Sequence, residues 1–143
     1  MTLDLYLGHS LASRKEIRVW ELAFEERTGI SLINPFYDQD RADIRALDRG
    51  ERGVELPFQQ VVQNDLRLIQ QTDATLALVD KATSLGLPME VVYASQVYYK
   101  PVYAIVLDGR ERHPWILYHA TKIFTTQDVF ERWIIQGKLK KKS

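Results

Sequence analysis

Two carboxylates in this chain stand where little is available to neutralise them. Glu90 is the only charged side chain between Lys81 and Lys100, within Gly86-Leu87-Pro88-Met89-Glu90-Val91-Val92-Tyr93-Ala94. Asp65 shares a helical face with Phe58, Val61, Val62, Leu68 and Ile69 when residues 56–72 are wound at 3.6 residues per turn. A carboxylate taken out of water without compensation is costly, so each acid must reach solvent, find a partner or do chemistry. Pro88 suits the first position of a helix, which places Glu90 in the first turn. There the positive end of the helix dipole favours the ionised acid, the state a carboxylate nucleophile needs. Both acids also have plainer roles open to them. A first-turn Glu often satisfies a free amide, although Leu87 before Pro88 has no oxygen to complete a capping box. Asp65 at the end of its stripe can reach solvent or a neighbouring amide.

Other familiar chemistries lack their parts. The chain has no cysteine, which excludes disulfides, thiolate metal sites and cysteine nucleophiles. Neither G-x-G-x-x-G nor G-x-x-x-x-G-K-[ST] is present, so no phosphate cradle of those kinds exists. His9, His113 and His119 lack metal-ligand spacing, and Ser10, Ser13 and Ser84 lack a G-x-S-x-G elbow. No metal and no cofactor is expected. What remains is a pair of inward acids with hydroxyls and a tyrosine near strand ends. A nucleophilic carboxylate and a second acid are the equipment for breaking a glycosidic bond through a covalent sugar intermediate.

The elements that must position these groups alternate in type. Residues 3–7 form a short apolar strand that runs into Gly8-His9-Ser10. A helix with Ile17, Trp20 and Phe24 on one face follows and stops near Thr28-Gly29. Residues 30–33 make a second strand, halted by Asn34-Pro35. Residues 36–55 are polar and of mixed charge, which predicts a solvated excursion, a lid or a subunit contact, with Phe36 and Tyr37 at its base. Phe36 and Tyr37 suit stacking on a planar ligand or anchoring the loop equally well. The helix of residues 56–72 comes next, then a strand over 74–79, the helix bearing Glu90 and closing at 96–101, and a strand over 102–107. Residues 115–124 are apolar and end in a short strand at Ile123-Phe124. Thr125 or Thr126 caps a last helix. Strand-helix alternation predicts an α/β fold, a single-domain flavodoxin/Rossmann-like parallel sheet of about five strands with helices on both faces. Ligands of such sheets bind beyond the carboxyl ends of the strands, where Gly8 to Ser10, Asn34 to Tyr37 and Asp80 to Glu90 converge.

The 143 residues suit one domain, expected over 1–137 with a solvated basic tail over 138–143. Nineteen basic residues balance nineteen acidic ones, so no field for gripping nucleic acid or a membrane is expected. The start of the chain lacks signal-peptide character, and a cytoplasmic location is the expectation.

Three segments, in this order, carry a resemblance. Tyr6-Leu7-Gly8-His9-Ser10 is similar to a Tyr-Leu-Ala-Gly opening, with its Gly one position early. Gln63-Asn64-Asp65-Leu66 resembles a segment bearing an acid that meets the sugar or base. Residues 86–94 resemble Gly-x-x-x-Glu-[Ile/Leu]-Gly-x-Ala, with Val92 where Gly is usual. Together they resemble the nucleoside 2-deoxyribosyltransferase family, which includes the 2'-deoxynucleoside 5'-monophosphate N-hydrolases. The resemblance implies that Glu90 attacks the anomeric carbon of deoxyribose and that Asp65 protonates the leaving base or orients the sugar. Tyr6 would then position Glu90. Gly8, Ser10, Phe36, Ser84 and Gly86 become candidate substrate-binding residues. Six positions before the nucleophile many transferases carry an Asp that holds a free 5'-hydroxyl, whereas the monophosphate hydrolases carry Ser, as in Ser84-Leu85-Gly86 here. A hydroxyl can donate to a phosphate that a carboxylate would repel. Ser10, Ser13 and Arg14 are candidates to complete that phosphate site, or else a helix cap and an exposed charge. The expected partners are a deoxynucleoside or its monophosphate, a nucleobase, and further copies of the chain through residues 115–124. A non-catalytic nucleotide-binding module on the same fold is the alternative of another class, and a structural subunit a third.

Overall fold

Every strand of the sheet lies parallel to its neighbours. In the computed structural model, which describes residues 3–52, 55–137 and 139, the strands are β1 (Asp4–Gly8), β2 (Ser31–Ile33), β3 (Ala74–Val79), β4 (Val102–Val106) and β5 (Lys122–Phe124). Their spatial order is β2-β1-β3-β4-β5, with Tyr6 opposite Thr75 and Ala77 opposite Ala104. The helices are α1 (Arg14–Thr28), α2 (Ala42–Asp48), α3 (Phe58–Gln71), α4 (Gly86–Val92), α5 (Pro114–His119) and α6 (Gln127–Ile135). The sequence expectation of a single α/β domain with a five-stranded parallel sheet is met. Among the described residues no helix is long and apolar enough to cross a membrane.

Strand residues alternate between two buried faces. Leu5, Leu7, Leu76 and Ile105 face one core, with Phe24 of α1 and Phe130 of α6. Tyr6, Ala77, Val102 and Ala104 serve the other, under Ile69 of α3, Leu87 of α4 and, partly buried, Ile116 of α5. Each fully buried Leu or Phe contributes about 1.5–3 kcal/mol relative to an exposed one. Helix ends follow the local chemistry. Gly29 takes the left-handed conformation (φ 74°), its N–H reaching the Glu25 carbonyl, and the Thr126 hydroxyl accepts from the Val129 N–H at the start of α6.

Four expectations are corrected. Residues 36–55 are not simply a solvated excursion. They contain α2, whose Ile44 and Ala46 are buried, and a buried pair in which Arg41 Nε and Nη2 each lie 2.9 Å from the Asp43 carboxylate. A buried charge is tolerated there because its partner is bidentate and the Phe36 ring lies 5.4 Å from the guanidinium carbon. Phe58 and Val62, expected on an inward stripe, remain 65% and 54% exposed because only the C-terminal half of α3 lies over the sheet. The helix bearing Glu90 begins at Gly86, so Pro88 is its third residue and Glu90 lies beyond the first turn. That helix does not continue regularly to 101. A π-helical turn at Tyr93–Val97 follows α4, and Tyr99 turns the chain with φ 54° so that Lys100 Nζ meets the Gln70 and Thr72 carbonyls at the end of α3. Leu139 packs on the core, while the rest of the expected 138–143 tail lies outside the described residues.

Candidate functional site

The site forms where the carboxyl ends of β1 and β3 meet the start of α4. Tyr6 on β1 points to the face covered by α3 and α4, is fully buried, and donates its hydroxyl to Glu90 Oε2. Gly8, two residues on, faces the same way. A Cβ built on Gly8 would lie 2.5 Å from Leu87 Cδ1 and 3.8 Å from Glu90 Oε2. A Cβ on Gly86 would lie 3.7 Å from Glu90 Oε1. Two glycines therefore flank the carboxylate and leave room beside each oxygen. A Gly8→Ala substitution is expected to force the buried Leu87 side chain to shift, destabilising the fold by about 1–3 kcal/mol. Urea unfolding of the two proteins measures this, and an unchanged midpoint would contradict the close approach.

Electrostatics differ from the sequence expectation at Glu90. A helix dipole favours an ionised carboxylate, but burial pushes this carboxyl up to about 8, against the lowering effect of the Tyr6 hydrogen bond and with a smaller push from Asp65. The acid is half-buried on α4, against the Tyr6 hydroxyl and beside Gly8 and Gly86. Tyr6 itself is raised well above 10, first by burial and then by the charge of Glu90, so it stays a hydrogen-bond donor.

Asp65, half-buried on α3, lies near enough for its charge to act on both Glu90 and Tyr6. Its carboxyl is raised by burial and lowered by a hydrogen bond from Gln39 Nε2 (3.1 Å) and by the Arg41 charge. The geometry thus brings together Tyr6, Glu90, Gly8 and Gly86, with Asp65 at the side. Phe36 completes a wall between His9, whose ring centroid is 4.9 Å away, and Arg41. His9 is buried and its imidazole is lowered by that burial, which keeps it neutral.

Ser10 is not directed to this centre. Its hydroxyl and that of Ser13 lie 3.4 and 2.8 Å from Asp80 Oδ2, and Arg14 pairs with Asp48 at 2.8 Å. The expected phosphate donors are thus engaged by carboxylates. Ser84 lies exposed in the turn before α4. Gln39 and Arg41 are site neighbours that the sequence did not single out. Both lie in the charge-balanced stretch, where Arg41-Asp43 reads no differently from the solvent-exposed Asp40–Arg45 pair.

No family model and no curated protein sequence matches the chain. Solved structures do. The chain is similar to a 2-deoxyribosyltransferase of Bacillus psychrosaccharolyticus, with TM-score 0.66 and 18% identity over 90% of each chain. It is similar to a conserved protein of Enterococcus faecalis, with TM-score 0.69 and 13% identity over 96% of this chain and 99% of that one. It is also similar to the CMP N-glycosidase BcmB of Clostridium botulinum, with TM-score 0.57 and 15% identity over 93% and 98%. The chain therefore has the single-domain parallel α/β fold of these three proteins over nearly their whole length.

Proposed function

We propose that the chain cleaves the N-glycosidic bond of 2'-deoxyribonucleosides and transfers the sugar to another base. The observation that carries this is the Tyr6 hydroxyl on the Glu90 carboxylate, set between Gly8 and Gly86 with the Asp65 charge nearby. Glu90 attacks the anomeric carbon as the bond to the base breaks, giving a deoxyribosyl ester and the free base. Asp65 supplies the proton that the departing base takes up; a second base then attacks the ester, gives its N–H proton back to Asp65 and restores the Glu90 carboxylate. Tyr6 is a positioning residue that holds Glu90 and keeps part of its charge satisfied. The similarity to a 2-deoxyribosyltransferase and to a CMP N-glycosidase supports chemistry at a nucleoside's base–sugar bond.

A second reading is hydrolysis of the 5'-monophosphate, with Ser84 in the phosphate site; the exposed Ser84 hydroxyl favours it. Asp80, a carboxylate holding both Ser10 and Ser13, works against it at the same sheet edge. Deoxynucleosides and their monophosphates, each incubated with and without a different acceptor base, separate the two by chromatography. The expected product is a new nucleoside. Free base from the monophosphate alone would replace transfer with hydrolysis, and tight binding without turnover would leave only a nucleotide-binding module. Assembly into a homo-oligomer belongs to the same proposal, with exposed Leu117 and Tyr118 of α5 and Phe58 and Val62 of α3 as apolar surface for it.

A further inference from the structure

The two acids stand on helices that are held very differently. α3, which carries Asp65, is anchored through its C-terminal half. Its first residues, 58–60, are exposed, Ile69 is its one fully buried residue, and Leu66 and Leu68 are partly buried beside it. Asp65 therefore sits where α3 leaves the sheet. Glu90 belongs to a firmer unit. Its helix passes into the π-helical turn at Tyr93–Val97, closed by the Tyr98 N–H on the Tyr93 carbonyl (2.9 Å). Ala94, four residues on from Glu90, is fully buried in the cluster that holds Tyr6. Tyr6 thus fastens this unit to β1 twice, through that cluster and through its hydroxyl on Glu90.

Lys100 joins α3 to the same unit. Tyr99 turns the chain in the left-handed region (φ 54°), a conformation that a residue with a Cβ adopts only where its surroundings enforce it. The Lys100 N–H then reaches the Ala94 carbonyl (2.9 Å), and its ammonium donates to the Gln70 and Thr72 carbonyls. Carbonyls at a helix C-terminus lack intrahelical partners and favour a cation. The Thr72 hydroxyl takes two others of that last turn, Leu68 and Ile69 (2.9 and 3.1 Å). Capping alone would account for Lys100 if all its anchors lay at the end of α3. Its backbone is bound instead to the turn that follows Glu90, so one residue spans the supports of both acids.

We infer that Lys100 is a positioning residue, one that fixes Asp65 against Glu90 by tying the end of α3 to the π-helical turn. The inference rests on the proposed use of both acids on one sugar–base bond. A helix held at one end can tilt about that end. A tilt of about 10° over the ~6 Å of helix from Ile69 to Asp65 moves the acid by about 1 Å. A displacement of that size can cost on the order of 10²-fold in rate. Gln39 gives Asp65 one further hydrogen bond (3.1 Å).

Lys100→Met keeps the aliphatic stem and removes the donors. In deoxynucleoside incubations its kcat is expected to fall about 10- to 100-fold with KM within about twofold of wild type, and Lys100→Arg should recover most of the loss. In an Asp65→Asn background the same substitution should cost little more, because Lys100 acts through Asp65. Carboxyl-carbon NMR gives a readout apart from turnover. The Asp65 charge raises the Glu90 carboxyl, so Lys100→Met should lower the Glu90 midpoint when Asp65 is present and leave it in place in Asp65→Asn. Near-UV circular dichroism reports packing, and Lys100→Gln takes the place of a Lys100→Met that does not fold. A wild-type chain that releases no base and makes no new nucleoside defeats the proposed reaction, and the NMR titration then decides the link between the acids. A folded variant of wild-type kcat, an equal loss in both backgrounds, or a Glu90 midpoint unmoved with Asp65 present overturns the inference.

Discussion

Glu90→Ala is expected to lose base release by about 10⁴-fold or more while keeping its fold, because the carboxylate that forms the ester is gone. Chromatography of deoxynucleoside incubations measures the loss, and a variant of wild-type activity would overturn the assignment of the nucleophile. Glu90→Gln separates chemistry from stability. In the folded chain this carboxyl sits at about 8 against an ordinary 4.5. A group raised on folding stabilises fully below its unfolded value and loses that contribution as pH climbs through the folded value. Wild-type stability should therefore fall between pH 4.5 and about 8, whereas Glu90→Gln, still able to accept from Tyr6, should not show this fall. At pH 7 the variant is expected to be the more stable by roughly 3 kcal/mol, at about 1.4 kcal/mol per pH unit. Parallel pH dependences in urea titrations would contradict the burial of this acid.

Tyr6→Phe gives the second large effect, and its sign is fixed. The Tyr6 hydrogen bond lowers the Glu90 carboxyl, so its removal raises that carboxyl further above about 8. A hydrogen bond to a charged group is worth about 1.5–3 kcal/mol, or about one to two pH units. The acidic limb of kcat/KM should move alkaline by that amount, since only the ionised acid attacks. Activity at pH 7 should drop about 10- to 100-fold and recover most of its value above the shifted limb. A loss of equal size at every pH would make Tyr6 a packing residue only. Phe is the informative replacement because the ring belongs to the core with Ile69, Ala94 and Val102.

The strands and most helices were legible because each is governed by one local rule. Ala74–Val79 is buried at every position, as a continuous apolar run predicts for an interior parallel strand. Gly29 and Thr126 end and begin helices by chemistry that needs no tertiary context. Asp65 was visible as a breach of periodicity. The errors arise where tertiary structure overrides local signals. Pro88 is tolerated at three early positions of a helix, since none of those N–H groups has an intrahelical partner, and it therefore did not fix the start of α4. Arg41 was hidden because charge pattern alone does not reveal which of several Arg–Asp neighbours is buried. Glu90 was misjudged in its ionisation because the dipole of a short helix is small beside the desolvation of a carboxylate held between a tyrosine and two glycines.

The stretch carrying Gln39 and Arg41 is fastened by ion pairs of two kinds, with a consequence for ionic strength. Arg41–Asp43 is buried, with side chains 8% exposed, whereas Arg14–Asp48 at the far end of α2 is 15% and 29% exposed. Dissolved ions screen the second pair more than the first. In concentrated salt the outer end of α2 is expected to be held to α1 less firmly, while its inner end keeps the buried pair beside Phe36. A halophilic or osmotically stressed setting would then alter how Gln39 is held against Asp65 before it altered the acids themselves.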